Sequence, residues 1–195
     1  RTALSRYADL PPERWLFSST PKGKPEIGNP GLPPLRFNLT HTPGLVACVV
    51  NLSGECGIDA EKITLRHDPL GVARRMFSDP EYLTQQALEG RRQLEYFFER
   101  WTLREAYVKA RGIGIHFPTR KLRFRVSSPE SIHVEFAADI DDRDRLPHAA
   151  IRNLVAEQAA GILEGERLDI DPVNDILRMG EDGVLLAPVT RVAAF

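Results

Sequence analysis

Cysteine is scarce in this 195-residue chain: only Cys48 and Cys56 occur, close together, with neither a CxxC pair nor a Cys/His spacing. That argues against a disulfide scaffold or a zinc site and leaves both as reduced packing residues. An excess of one charge sign is also missing. The 26 basic and 27 acidic residues leave a formal net charge of −1, so no bulk attraction to nucleic acid or membrane is expected, and any anion site must be local. No apolar run approaches the roughly 18 residues of a membrane-spanning helix, and the first residues lack the charged-then-apolar pattern of a leader. There is no GxxxxGK[ST] loop, which removes the P-loop class. Low-complexity segments and visible internal repeats are absent too. What remains, 42% hydrophobic and 27% charged, is the composition of a soluble globular protein with a substantial core, as one domain or two packed halves. A cytoplasmic setting is the expectation.

The chain opens on Arg1, and Thr2 to Ala8 reads as the middle of a helix, from which a missing upstream segment is expected. Seven of the 15 prolines fall between residues 11 and 36, predicting a long ordered loop with little regular structure. Leu35 to Asn38 is short and extended. Leu45 to Val50 is apolar and rich in β-branched residues, as a buried strand is. Gly57 to Glu61 reads as another strand, joined to it as a hairpin through Ser53-Gly54-Glu55, with a turn at Thr42-Pro43-Gly44 before the first. Helical spacing begins at Asp68, breaks at Ser78-Asp79-Pro80 and resumes over Glu81 to Leu88. Arg92 to Ala110 is the strongest helix, terminated by Gly112. Leu122 to Val126 and Ile132 to Phe136 alternate as half-buried antiparallel strands joined across Ser127 to Glu130. Residues 139–146 read as a charged loop, and Ala149 to Leu163 as an amphipathic helix.

Four stretches could carry chemistry. In Asp59-Ala60-Glu61 the carboxylates at i and i+2 share one face of a strand and can meet one hard cation such as Mg²⁺. The same spacing suits a solvated strand edge. On the long helix, Trp101, Glu105 and Lys109 share nearly one face. Glu105 and Lys109 could form a plain surface pair, or Glu105 could complete a carboxylate trio while Lys109 meets a phosphate. Phe37-Asn38-Leu39-Thr40-His41-Thr42 gathers hydroxyls and an imidazole that suit phosphate oxygens or ordinary turn bonds. Lys22-Gly23-Lys24-Pro25 is a basic loop, able to approach an anion or to lie solvated.

All four occur together and in order, and the chain thereby resembles the Sfp-type 4′-phosphopantetheinyl transferases. That family shows a GKP loop, an FN(I/L)SH segment, a GID(V/I)E strand and a W(S/T)xKEAxxKxxGxG helix. Here they stand as Gly23-Lys24-Pro25, Phe37 to His41, Gly57 to Glu61 and Trp101 to Gly114. Thr40 replaces the usual serine and Arg104 the usual lysine. The resemblance covers roughly residues 1 to 126.

The resemblance implies an α+β fold of two pseudo-symmetric halves, antiparallel strands packed on helices, with coenzyme A held between them. Residues 1–56 would form an incomplete N-terminal half, 57–138 a C-terminal half with the metal site, and 139–195 a tail. It implies Mg²⁺ held by Asp59, Glu61 and Glu105, with Glu105 and Lys109 catalytic. Lys24, Thr40, His41 and Lys109 would bind coenzyme A, the substrate. The partner would be an apo acyl or peptidyl carrier protein, which Arg74, Arg75, Met76 and Phe77 could dock, and the enzyme a monomer. Two other readings stand beside it: a non-catalytic coenzyme A or nucleotide-binding module, and another Mg²⁺-dependent phosphoryl-transfer enzyme.

Overall fold

The structure is a computed structural model that describes residues 1–42, 45–52, 54–64, 68–114, 117–128, 131–140, 150–155, 175–180 and 183–188. In chain order its elements are β1 (Phe17–Ser19), β2 (Pro25–Ile27), β3 (Arg36–Thr42), β4 (Leu45–Asn51), β5 (Cys56–Glu61), α1 (Pro69–Met76), α2 (Asp79–Ala87), α3 (Gly90–Arg111), β6 (Leu122–Ser128), β7 (Ser131–Phe136), β8 (Ala150–Val155), β9 (Asp175–Gly180) and β10 (Gly183–Pro188). This is an α+β architecture. One sheet has the order β10-β9-β4-β3, with every neighbour antiparallel. β1 pairs β2 and β6 pairs β7, both antiparallel, whereas β5 pairs β8 in parallel. Strands from beyond residue 139 thus join both β4 and β5.

β4 is apolar from Leu45 to Val50, and apart from the exposed Val46 those residues are buried on both faces. Leu45, Ala47 and Val49 meet Cys56, Ile58 and Ala60 of β5. Cys48 and Val50 turn the other way and pack with Phe37 against Leu4, Trp15 and Leu35 of the N-terminal segment. Burial pushes the Cys48 and Cys56 thiols up to about 11 and about 12, so both are unreactive packing groups, as their sequence context predicts. α3 is the central helix. Its Phe97 and Phe98 pack with Ala73 and Phe77, and Leu103, Ala106, Tyr107 and Ala110 pack against Leu122 and Phe124 of β6 and Ile132 and Val134 of β7. It ends where Gly112 turns left-handed at φ 70° and donates its N–H to Val108 O, a conformation in which any Cβ is strained.

α2 starts on a capping box, with the Ser78 N–H donating to Glu81 at 3.2 Å. The Glu81 carboxylate is itself buried. It also accepts the Phe124 N–H at 3.0 Å and pairs with the Arg104 guanidinium. Arg104 is 1% exposed and donates further to the carbonyls of Met76, Arg100 and Leu122 at 3.0–3.1 Å, with its guanidinium 4.4 Å from the Phe77 ring centroid. One side chain therefore ties the end of α1, the start of α2, α3 and β6.

Several expectations are corrected. Thr2 to Ala8 holds only a 3₁₀ turn at Leu4–Arg6, and the proline-rich stretch contains β1 and β2. β3 continues through Thr42, so Thr40 and His41 lie on a strand rather than in a turn. β4 and β5 form no hairpin: β5 takes its ladder from β8. Ala150 to Val155, expected to be helical, is that strand, because pairing with a distant partner overrides local periodicity. Residues 141–146 and 156–163, and the turn positions 43–44, 53 and 129–130, lie outside the described residues.

Breaking the Glu81–Arg104 pair leaves a buried unpaired charge. Glu81→Ala is expected to cost about 3–5 kcal/mol, measured as a fall in the urea midpoint at an unchanged slope.

Candidate functional site

β5 and α3 build the site between them. Cys56, Ile58 and Ala60 turn toward β4, so alternation sends Gly57, Asp59 and Glu61 to the other face, toward α3. The two backbones nearly touch there: a Cβ on Gly57 would lie 2.8 Å from Ala110 N and overlap Ala106 O. The absence of a side chain at Gly57 is what lets Asp59 reach the helix. Lys109 Nζ donates to Asp59 Oδ1 at 2.6 Å and to Thr40 Oγ1 and Ile58 O at 3.3 Å. The Glu105/Lys109 pair is thus replaced by a tertiary one, Lys109 with Asp59.

β3 contributes through side chains instead of backbone. Asn38 Oδ1 accepts the Ile58 N–H at 3.3 Å, and Thr40 Oγ1 accepts the Ala60 N–H at 3.1 Å. Asn38 and Thr40, at i and i+2, thereby occupy two β5 donors facing β3. Thr40 Oγ1 also lies 3.3 Å from Asp59 Oδ1. His41, the next residue, is exposed on the opposite face of β3, so the structure does not bring it together with Thr40.

Glu105 is half-buried, and its carboxyl is held above the usual carboxylate range, first by burial and then by the charges of Asp59 and Glu61; Lys109 opposes this. The other oxygen of Asp59, Oδ2, is buried with no hydrogen-bond partner among the described residues. No group of three or more His, Cys, Asp or Glu side chains able to hold a metal ion is gathered among those residues. An orphaned carboxylate oxygen beside a carboxyl raised first by burial and then by its acidic neighbours nevertheless fits a hard divalent cation. Asp59, Glu61 and Glu105 are the residues that could hold one.

Glu105 and Lys109 also line a cleft of about 380 Å³, with Lys22, Lys24, Asn38 and Leu39 around it and the left-handed Gly112 and Gly114 at its end. Lys24 is fastened: its Nζ pairs with Glu55 and donates to Ala110 O at 2.6 Å, clasping the last turn of α3. Lys22 is exposed at the rim. Asn38 escaped the sequence reading as a site residue, although its place two residues before Thr40 on one strand was the available signal. Of the suggested docking residues, Arg74 and Arg75 are exposed, but Phe77 is fully buried and cannot take part.

The sequence model described as the 4′-phosphopantetheinyl transferase superfamily matches residues 55–158, a span that includes Asp59, Glu61, Glu105 and Lys109. A 4′-phosphopantetheinyl transferase of Bacillus subtilis is 32% identical over 135 residues, 69% of this chain and 58% of that protein. HetI of Nostoc sp. is 35% identical over 116 residues, 59% and 49% respectively. AcpT of Escherichia coli is 38% identical over 113 residues, 51% and 58%. The chain thus spans about half to three-fifths of the length of these curated relatives.

Because the folded-state pKa of Glu105 is raised, the stability linked to its protonated form is complete below the ordinary carboxylate value and is lost as pH rises through the shifted one. In urea titrations from about pH 4 to about pH 8, Glu105→Gln should gain in midpoint relative to the parent protein as pH rises, with the difference shrinking at the acid end.

Proposed function

Since the chain belongs to the 4′-phosphopantetheinyl transferase superfamily, we propose that it transfers the 4′-phosphopantetheine arm of coenzyme A to a serine of an apo acyl or peptidyl carrier protein, releasing 3′,5′-ADP. The observation that carries this reading is the face of β5 packed on α3, which sets Asp59 and Glu61 against Glu105 and Lys109. Asp59, Glu61 and Glu105 would hold Mg²⁺, which when bound neutralises charge on the pyrophosphate.

Glu105 is the general base. Its raised pKa brings it toward neutrality, where a carboxylate accepts a proton most usefully. The serine oxygen forms a bond to the β-phosphorus, the bond from that phosphorus to the 3′,5′-ADP oxygen breaks, and the serine proton passes to Glu105. Lys109 is held to Asp59 at the edge of the cleft and balances phosphate charge from there. Lys24, Thr40 and His41 are assigned to coenzyme A. Lys24 and Thr40 act by fixing the end of α3 and the edge of β5, and His41 by offering an exposed imidazole.

In this reading residues 1–56 and 57–138 are two similar halves facing each other across the cleft, the tail of 139–195 adds β9 to the first and β8 to the second, and the protein is a cytoplasmic monomer that binds no nucleic acid. Among the described residues no helix is long and apolar enough to cross a membrane. Arg74 and Arg75, exposed on α1, supply the basic surface for an acidic carrier.

Two measurements test these assignments. Mass spectrometry of an apo carrier protein incubated with the chain, coenzyme A and Mg²⁺ should show the gain of one phosphopantetheine arm. The gain should vanish with EDTA or Asp59→Ala, and Glu105→Gln should slow it at least about 10²-fold; near-parental turnover by Glu105→Gln would remove its role as base. Reversing the charge of Arg74 and Arg75 should raise the carrier KM while leaving coenzyme A affinity unchanged, and an equal loss of both would count against the docking surface.

A further inference from the structure

A second depression, of about 330 Å³, lies between α2, α3 and β6 and shares no lining residue with the cleft. On α3 its Arg100 and the cleft's Glu105 are about 140° apart around the helix axis, so the two openings face different directions. Arg100, Arg123 and Arg125 line it, with Tyr96 beside them.

Arg100 is 9% exposed, and its Nε and Nη1 are buried without a hydrogen-bond acceptor among the described residues. Its Nη2 lies 3.4 Å from Glu99 Oε2, and its guanidinium stands 4.8 Å from the Tyr96 ring centroid. Arg123 and Arg125, at i and i+2 on β6, project to one face. They share a single carboxylate: Glu135 is 3.6 Å from Arg123 Nη1 and 2.5 Å from Arg125 Nε. Glu81, also in the lining, is already committed to Arg104 and to backbone donors. Three guanidinium groups therefore gather around one opening, and Arg100 keeps desolvated donors empty among the described residues, an arrangement that costs free energy until an acceptor arrives.

We propose that this depression is a phosphate-binding site, with Arg100 as its floor and Arg123 and Arg125 as its rim. Guanidinium forks match the oxygens of phosphate in pairs, and three arginines arranged around one opening suit a dianion with several oxygens better than a planar carboxylate. Arg100 meets the incoming oxygens by tilting off the Tyr96 ring, which brings Nε and Nη1 to the opening.

The test is calorimetric titration of the whole chain with inorganic phosphate, at ionic strength held constant with chloride because exposed charges are screened by salt. Lys109→Ala protein is used as the background, so that the cleft is not the site observed. Saturable binding is expected, weakened at least about tenfold by Arg125→Ala, a substitution at an exposed side chain that leaves the core intact, and lost in Arg100→Gln. A parallel titration with glycerol phosphate separates the two sources of the group: tighter binding of the ester marks an esterified ligand, and equal affinity marks free phosphate. Absence of saturable binding to the parent chain overturns the proposal. So does binding that Lys109→Ala abolishes or that Arg125→Ala leaves unchanged. Neither coenzyme A nor a carrier protein enters the measurement, so its outcome is independent of the transfer reaction.

Discussion

At Gly57 the backbone of β5 lies against α3 so closely that a single added carbon would stand 2.8 Å from Ala110 N. The positions of the site residues follow from that contact. Two residues along a strand span about 6.7 Å and four along a helix about 6 Å. Once strand and helix touch, the carboxylates of Asp59 and Glu61 on one element and Glu105 and Lys109 on the other repeat with nearly the same spacing. The neighbouring strand keeps β5 in place without pairing to it, because Asn38 and Thr40 fill the Ile58 and Ala60 donors with side-chain oxygens. Strand β3 can therefore stand further off than ladder partners do, and the cleft opens beside it.

Like charges are gathered there. Asp59 and Glu61 both raise the Glu105 carboxyl, and Lys109 works against them. Lys109 is placed on Asp59 Oδ1, which leaves Oδ2 buried with no partner among the described residues. Burial and its two acidic neighbours hold the Glu105 carboxyl above the usual carboxylate range. Each further carboxylate beside a buried ion pair raises the desolvation cost of the others.

Much of this was legible in the chain itself. α3 was readable because its apolar residues repeat at helical spacing and a glycine follows the last of them; β6 and β7 because they alternate; β4 because its apolar run is short and β-branched. The Asp59/Glu61 pair was readable from strand periodicity alone. Other features depend on contacts between distant segments. Ala150 to Val155 carries spacing compatible with a helix, and its partner, β5, lies about ninety residues earlier, so nothing local favours the strand. The absence of a β4–β5 hairpin follows from Asn38 and Thr40 occupying donors that a turn-based reading assigns to the backbone ladder. Thr40 and His41 looked like one phosphate-binding unit because they are adjacent, but adjacency on a strand sends them to opposite faces.

Arg104 and Glu105 are consecutive, yet their environments differ completely. Arg104 faces inward and uses four of its five donors, in different directions, on Met76 O, Arg100 O, Leu122 O and Glu81. A lysine, which the family motif has here, donates from a single atom and could not reach all four at once. The guanidinium therefore locks α3 in rotation and in height against α1, α2 and β6. Fixing one residue of a helix fixes its neighbour about 100° further round. Glu105 is thus held toward the cleft by the chemistry of the residue before it, and a partly desolvated carboxyl that repulsion would otherwise swing away from Asp59 and Glu61 stays where a proton or a cation can find it.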